Sequence, residues 1–157
     1  MNRNRWMSLL LHLAVWGMLS GCAQNLTAPE KAAVRFYKEV WVEGNVEQAQ
    51  RMLDRPDKVK EIGWRVQEVQ NEERKNPPIL LVQSPTDRQM GTHTILIHRP
   101  SDKRDYKVRL QLRNGEWKVV KFEQNFDPRA GGYVSQDAYQ RLGQEYPEIQ
   151  WKRVDSP

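Results

Sequence analysis

"YKVRLQLRNGEWKVVKFE" (residues 106–123) decides how this chain is built. Tyr106, Val108, Leu110 and Leu112 alternate with Lys107, Arg109, Gln111 and Arg113, a period of two that puts one set on each side of a β-strand. Asn114-Gly115 follows, the preferred two-residue turn, because both positions tolerate positive φ. That turn predicts an antiparallel hairpin in which Leu112 faces Trp117 and Leu110 faces Val119. The alternation then falters at Val119-Val120-Lys121-Phe122, where apolar residues fall on both sides. A bulge would explain this, as would a cover over the second face; the expectation is a cover supplied by the C-terminal segment.

A strand pair with one apolar side needs a second layer, and the residues before it supply helices. In "TAPEKAAVRFYKEVWVEGN" (27–45), Thr27 can cap, Glu30 completes a capping box, and Pro29 lies in the first turn where it costs little. Ala33, Phe36, Tyr37, Val40 and Trp41 recur at spacings of three and four and share one face. Gly44 offers the left-handed residue that ends helices. Asn45 then caps "NVEQAQRMLD" (45–54), with Gln48 at the box position and Val46, Ala49, Met52 and Leu53 inward; Pro56 closes it, and "DKVKEIGW" (57–64) allows one more helical turn. From Trp64 the reading becomes β. "WRVQEVQ" (64–70) alternates Trp64 and Val66 with polar residues, and "ILLVQ" (79–83) and "THTILIH" (92–98) are short apolar runs. After the hairpin come a loop "DPRAGGY" (127–133), a short helix "SQDAYQRLGQEY" (135–146) capped by Ser135 with Tyr139 and Leu142 on one side, and an extended "EIQWKRV" (148–154). Helices first and strands after give α+β, with one domain over 28–157.

Two stretches, "AAVRFYKEVWVEGNVEQAQRML" (32–53) and "VRLQLRNGEWKVVKF" (108–122), resemble the nuclear transport factor 2-like superfamily, and small bacterial lipoproteins are similar to this pattern. The likeness covers roughly residues 28 to 125; the segment after Asp127 departs from the simplest members. It implies an N-terminal helical hairpin packed on a curved antiparallel sheet that forms a cone with a cavity, followed here by a short C-terminal helix and extended tail. By the same resemblance, an enzyme would place an acid, a base and a tyrosine in the cone, and Tyr37, Asp54, Asp57, His93 and His98 are the available parts. His93 and His98 are five apart, which points them to opposite faces of a strand. The expectation is therefore that Tyr37 is a core aromatic with a wet hydroxyl, the two aspartates cap or line loops, and the histidines sit at the surface or at loop ends. No third ligand stands at a spacing that suits metal, and there is neither a phosphate-cradling glycine loop nor a glycine-flanked serine. No catalytic residue and no cofactor are expected.

The amino-terminal "MNRNRWMSLLLHLAVWGMLSGC" (1–22) has Arg3 and Arg5, an apolar stretch from Trp6 to Leu19, and then small residues before the chain's one cysteine. This is the layout of a signal peptide. About 14 apolar residues at about 1.5 Å each fall short of a hydrocarbon core of about 30 Å. Leu19, Ser20, Gly21 and Cys22 resemble the bacterial lipobox, which implies cleavage after residue 21 and acyl chains on Cys22. An exported protein with one thiol would otherwise carry a leftover reactive cysteine. Two or three chains anchor stably where one does not. Residues 22–27 would form a tether of at most about 20 Å, placing the domain at the outer face of a plasma membrane, or on an outer membrane if the cell has one.

The first 21 residues hold two of the 25 basic residues and none of the 20 acidic ones, leaving the rest at +3. Basic residues are spread among acidic ones, without the concentrated stripe that nucleic acid requires. Expected partners are the membrane through the lipid on Cys22, an envelope protein, or a small apolar ligand. Trp41 and Trp117 are placed inward by periodicity. Contacts with a ligand or partner are expected of Tyr37, Trp64, Trp151, Arg109 and Arg113. The function implied is a cell-envelope binding or accessory module; the alternative is an envelope enzyme using the cone.

Overall fold

The computed structural model describes residues 25–71, 76–86, 91–124, 126–127, 132–133 and 139–157. Its first helix, α1 (Ala28–Trp41), starts as the sequence predicts: the Glu30 carboxylate accepts the Thr27 backbone N–H at 2.7 Å. Gly44, at φ 63°, turns the chain into α2 (Val46–Met52), where Asn45 Oδ1 accepts the Gln48 N–H at 3.2 Å. Ala49, Met52 and Leu53 are buried, whereas Val46, expected inward, is exposed. A seven-residue helix has barely two turns, and the second is the one that packs.

A 3₁₀ turn (Pro56–Val59) then runs into α3 (Lys60–Asn71), where the sequence reading expected a strand from Trp64. Val59, Ile62 and Val66, spaced by three and four, form a helical stripe against the core, and Trp64 stands 44% exposed. Two alternating residues were too short a sample to separate period two from period 3.6.

Five strands follow in one open antiparallel sheet: β1 (Ile79–Gln83), β2 (Thr92–Arg99), β3 (Arg104–Arg113), β4 (Glu116–Gln124) and β7 (Lys152–Val154), in the order β4-β3-β2-β1-β7. A separate two-stranded ribbon pairs β5 (Phe126–Asp127) with β6 (Gly132–Tyr133), and α4 (Tyr139–Glu145) precedes β7. The hairpin turn has Asn114 at φ 50° and Gly115 at φ 82°, and its register is the expected one, Leu112 opposite Trp117 and Leu110 opposite Val119.

The faltering alternation is a bulge. Leu110 pairs with Val119 and Arg109 with Lys121, so Val120 is the extra residue. Val119 and Phe122 can then both reach the core. Of the C-terminal segment expected to cover this stretch, β7 lies elsewhere, paired with β1 at the opposite edge of the sheet. The Val120 carbonyl instead accepts from Lys58 Nζ at 2.6 Å.

α1 crosses the sheet with Phe36, Tyr37, Val40 and Trp41 inward, against Ile95, Ile97, Tyr106, Val108 and Phe122. Ring centroids lie 4.7 Å apart for Trp41 and Tyr106, 5.0 Å for Tyr37 and Tyr106, and 5.3 Å for Phe36 and Phe122. Trp41 Nε1 donates to Gln124 Oε1 at 2.7 Å, which satisfies its one polar atom. The space between helix and sheet is thus filled by aromatic rings. Leu112, on the same side of β3 but at its end, is 51% exposed. Among the described residues, no helix is long and apolar enough to cross a membrane.

Candidate functional site

Strand parity sends alternate residues of β2 to opposite faces. Ile95 and Ile97 join the helix-covered core, and Thr94, Leu96 and His98 lie on the other side. At the strand's end His98 is directly opposite Asp105 of β3. Its Nδ1 lies 2.6 Å from Asp105 Oδ1, with both side chains buried. In such a contact a carboxylate accepts, the arrangement that places an imidazole hydrogen on Nδ1 and leaves Nε2 facing away from Asp105. The sequence reading placed His98 at the surface or at a loop end; it does stand where β2 runs into a turn, but it is buried.

The Tyr139 ring from α4 stacks on the His98 ring at 4.1 Å and 10°, and Trp151 meets Tyr139 edge-on at 4.9 Å. His98, Asp105 and Tyr139 form one wall of a hollow of about 260 Å³, to which Leu80 and Pro100 add apolar surface and Lys103 a cation. Lys103 sits at φ 58° in the turn between β2 and β3, a left-handed conformation that is uncommon outside glycine and asparagine.

That turn is braced from the opposite face. Arg99, next to His98 and therefore pointing toward α1, is 5% exposed. Its Nε and Nη2 donate to the two Asp102 carboxylate oxygens at 2.8 and 2.6 Å, and its Nη1 donates to the Tyr37 hydroxyl at 3.3 Å. Arg104 Nε reaches Asp102 Oδ2 at 2.8 Å. Burial works most strongly against the Arg99 charge, but the bonds to Asp102 together with the neighbouring Tyr106 and Tyr37 phenols and the Asp102 charge outweigh it and hold the guanidinium above its ordinary value. Burial also pushes the Tyr37 and Tyr106 phenols up, in spite of the nearby arginine. Tyr37 is therefore a core aromatic, as expected, but the hydroxyl expected to be wet is buried and accepts from a buried arginine.

The residues singled out from sequence do not converge. Trp64 carries the Arg65 guanidinium 4.5 Å from its ring. Arg109 lies on the face away from α1, with Nε 3.3 Å from Thr94 Oγ1, and Arg113 pairs with Asp54 at 3.3 Å near the hairpin end. Asp57 belongs to the exposed 3₁₀ turn, and His93, on the helix side of β2, meets Trp117 edge-on at 5.0 Å. Of the residues singled out, His98 lines the hollow, and Trp151 adjoins it through Tyr139. Leu19, Ser20, Gly21 and Cys22, and the capping Ser135, lie outside the described residues. Sequence reasoning missed Asp105 and Tyr139. The pairing of Asp105 with His98 was discoverable only through the register closed by "RPSDKR" (99–104). Among the described residues, no group of three His, Cys, Asp or Glu side chains is placed to hold a metal ion.

The chain matches no protein-family model, no curated protein and no solved structure.

Proposed function

We propose that this chain is a cell-envelope lipoprotein, anchored through Cys22, that works by binding, and that its ligand is a small molecule with an apolar body and an acidic end, held in the hollow beside His98. The observation that carries the reading is the buried His98–Asp105 pair opening on a hollow walled by Leu80, Pro100 and Tyr139, with Lys103 as its cation. Apolar walls with a few convergent polar groups are the usual make-up of a small-ligand site. At about 260 Å³ the hollow suits a ligand below drug size. The lipobox-like tetrad before Cys22 supports the anchor, and the open antiparallel sheet under a helical pair is consistent with a nuclear transport factor 2-like domain whose cone is plugged by its own aromatic residues.

Native mass spectrometry of the protein extracted from its host envelope tests the carrier role. The wild type should carry a co-purifying small mass that Lys103→Gln and Tyr139→Ala each deplete, and a ligand-free wild type would refute it. Cys22→Ser should move the protein out of the detergent phase; unchanged partitioning would refute the anchor. Asp105 orienting His98 also favours a second reading, an envelope enzyme with Nε2 as general base. In that case Asp105→Asn would leave the co-purifying molecule bound but unconverted.

A further inference from the structure

A second hollow, of about 520 Å³, lies where α1, α2 and the β3–β4 hairpin meet. Four cations line it: Lys31, Arg35, Arg51 and Lys118. Arg51 is paired with Glu47, and Lys118 with Glu116 at 2.7 Å, its Nζ also donating to the Arg51 carbonyl at 3.0 Å. Lys31 and Arg35, one turn apart on α1 and both exposed, make no ion pair among the described residues. The groove therefore has two uncompensated positive charges. Trp117 supplies an amphipathic ring on its wall, and its cross-strand partner Leu112 is a large apolar side chain left 51% exposed. Basic residues around an exposed leucine and a half-buried tryptophan form the composition that settles at a membrane interface, where ammonium and guanidinium groups meet phosphate and the rings meet the acyl boundary.

We infer that this end of the domain docks on the anionic headgroup layer of the membrane, with a lipid phosphodiester seated between Lys31 and Arg35 and with Leu112 and Trp117 entering the interface. The proposal rests on the lipoprotein reading for one thing only, the tether. With Cys22 in the bilayer, α1 begins within about 20 Å of it, and Lys31 and Arg35 lie within the first two turns, about 10 Å along the axis. That proximity favours a lipid surface over an acidic protein partner. The His98 hollow lies on the other face of the sheet and stays open to its ligand.

The test uses the full chain carrying Cys22→Ser, sedimented with vesicles of phosphatidylcholine alone or with one-third phosphatidylglycerol. The readout is the ratio of the two partition coefficients, in which the apolar amino-terminal segment largely cancels. Lys31→Gln with Arg35→Gln should lower that ratio about 25-fold, the worth of two near-surface charges. The exposed pair Arg55→Gln with Lys60→Gln removes the same charge elsewhere and should leave it within about twofold. Equal losses in the two double variants would overturn the proposal, as would displacement by millimolar inorganic phosphate, which would mark a small-anion site. An acidic envelope protein sedimenting with the wild type in place of the vesicles would overturn it too. Release of Cys22→Ser from cell membranes is scored separately, so failure of the anchor and failure of the groove are distinguishable.

Discussion

Lys152→Met should destabilise the protein far more than Glu30→Gln, although each removes one end of the same ion pair. Lys152 Nζ donates to both Glu30 oxygens, at 2.9 and 2.6 Å, and ties the last strand to the first turn of α1. The partners are unequal: the glutamate side chain is 5% exposed and the lysine 33%. Removing the lysine strands a carboxylate in the interior with only Thr27, through its N–H and its side chain, to satisfy it, which should cost about 3 kcal/mol, the low end for a broken buried pair. Glutamine at residue 30 can still close the capping box, and the lysine it abandons can turn to water, so that change should cost about 1 kcal/mol. Burial raises the Glu30 pKa, but the Lys152 and Thr27 hydrogen bonds outweigh it and hold the carboxyl below its ordinary 4.5. A depressed folded pKa contributes stability that is fully present above the ordinary carboxylate range and is lost as pH falls through the folded value. In Lys152→Met burial wins instead, the carboxyl takes up a proton more readily, and the gap to wild type should narrow between pH 7 and pH 4. Urea unfolding followed by tryptophan fluorescence at both pH values measures all of this. Equal losses for the two variants at pH 7, or an undiminished Lys152→Met deficit at pH 4, would refute the reasoning.

Three further outcomes follow from the packing. Tyr37→Phe removes the acceptor that Arg99 Nη1 uses under α1 and should cost about 1 to 2 kcal/mol in a thermal melt; a change within about 0.3 kcal/mol would show the hydroxyl idle. Deleting Val120 removes the extra residue of the bulge while leaving Leu110 opposite Val119 and Val108 opposite Phe122, so the fold should persist with a loss of about 1 to 3 kcal/mol, and amide exchange showing β4 unprotected would contradict that register. Gly115→Ala, with open space around the new methyl but φ at 82°, should cost about 1 to 2 kcal/mol from backbone conformation alone, and a neutral result in chemical denaturation would contradict the turn geometry.

The hairpin and α1 could be read from sequence because each carries redundant local signals. Tyr106 to Leu112 repeat the alternation four times before a turn that tolerates positive φ, and α1 has a cap, a box and an apolar face that agree. α3 was misread for want of that redundancy. Its stripe of Val59, Ile62 and Val66 straddles a 3₁₀ turn, and Trp64 beside Val66 imitates a strand. The Val119–Phe122 stretch was ambiguous for a different reason, since a bulge and a covered second face leave the same mark on a sequence, and only pairing distinguishes them. The site was least visible. No spacing rule makes residues 98 and 105 neighbours, and Tyr139 reaches His98 from 41 positions away along the chain.

The end of β2 is where fold and site are joined. Consecutive strand residues must point to opposite faces, so a buried arginine at 99 facing α1 forces residue 98 toward the hollow. Arg99 is the less obvious member of the pair, being a charged residue at a core position, which is justified only if its hydrogen bonds are met. They are met by Asp102 and Tyr37, and Asp102 belongs to the turn that presents Lys103. Bracing from the helix side therefore fixes a loop whose useful face is on the other side of the sheet. An apolar residue at 99 would satisfy the core as well or better, but it would leave Asp102 to Arg104 alone and loosen the strained backbone at Lys103 that keeps the cation beside His98. A local rule broken in the core is thus matched by order at the hollow, as the proposed binding site would require.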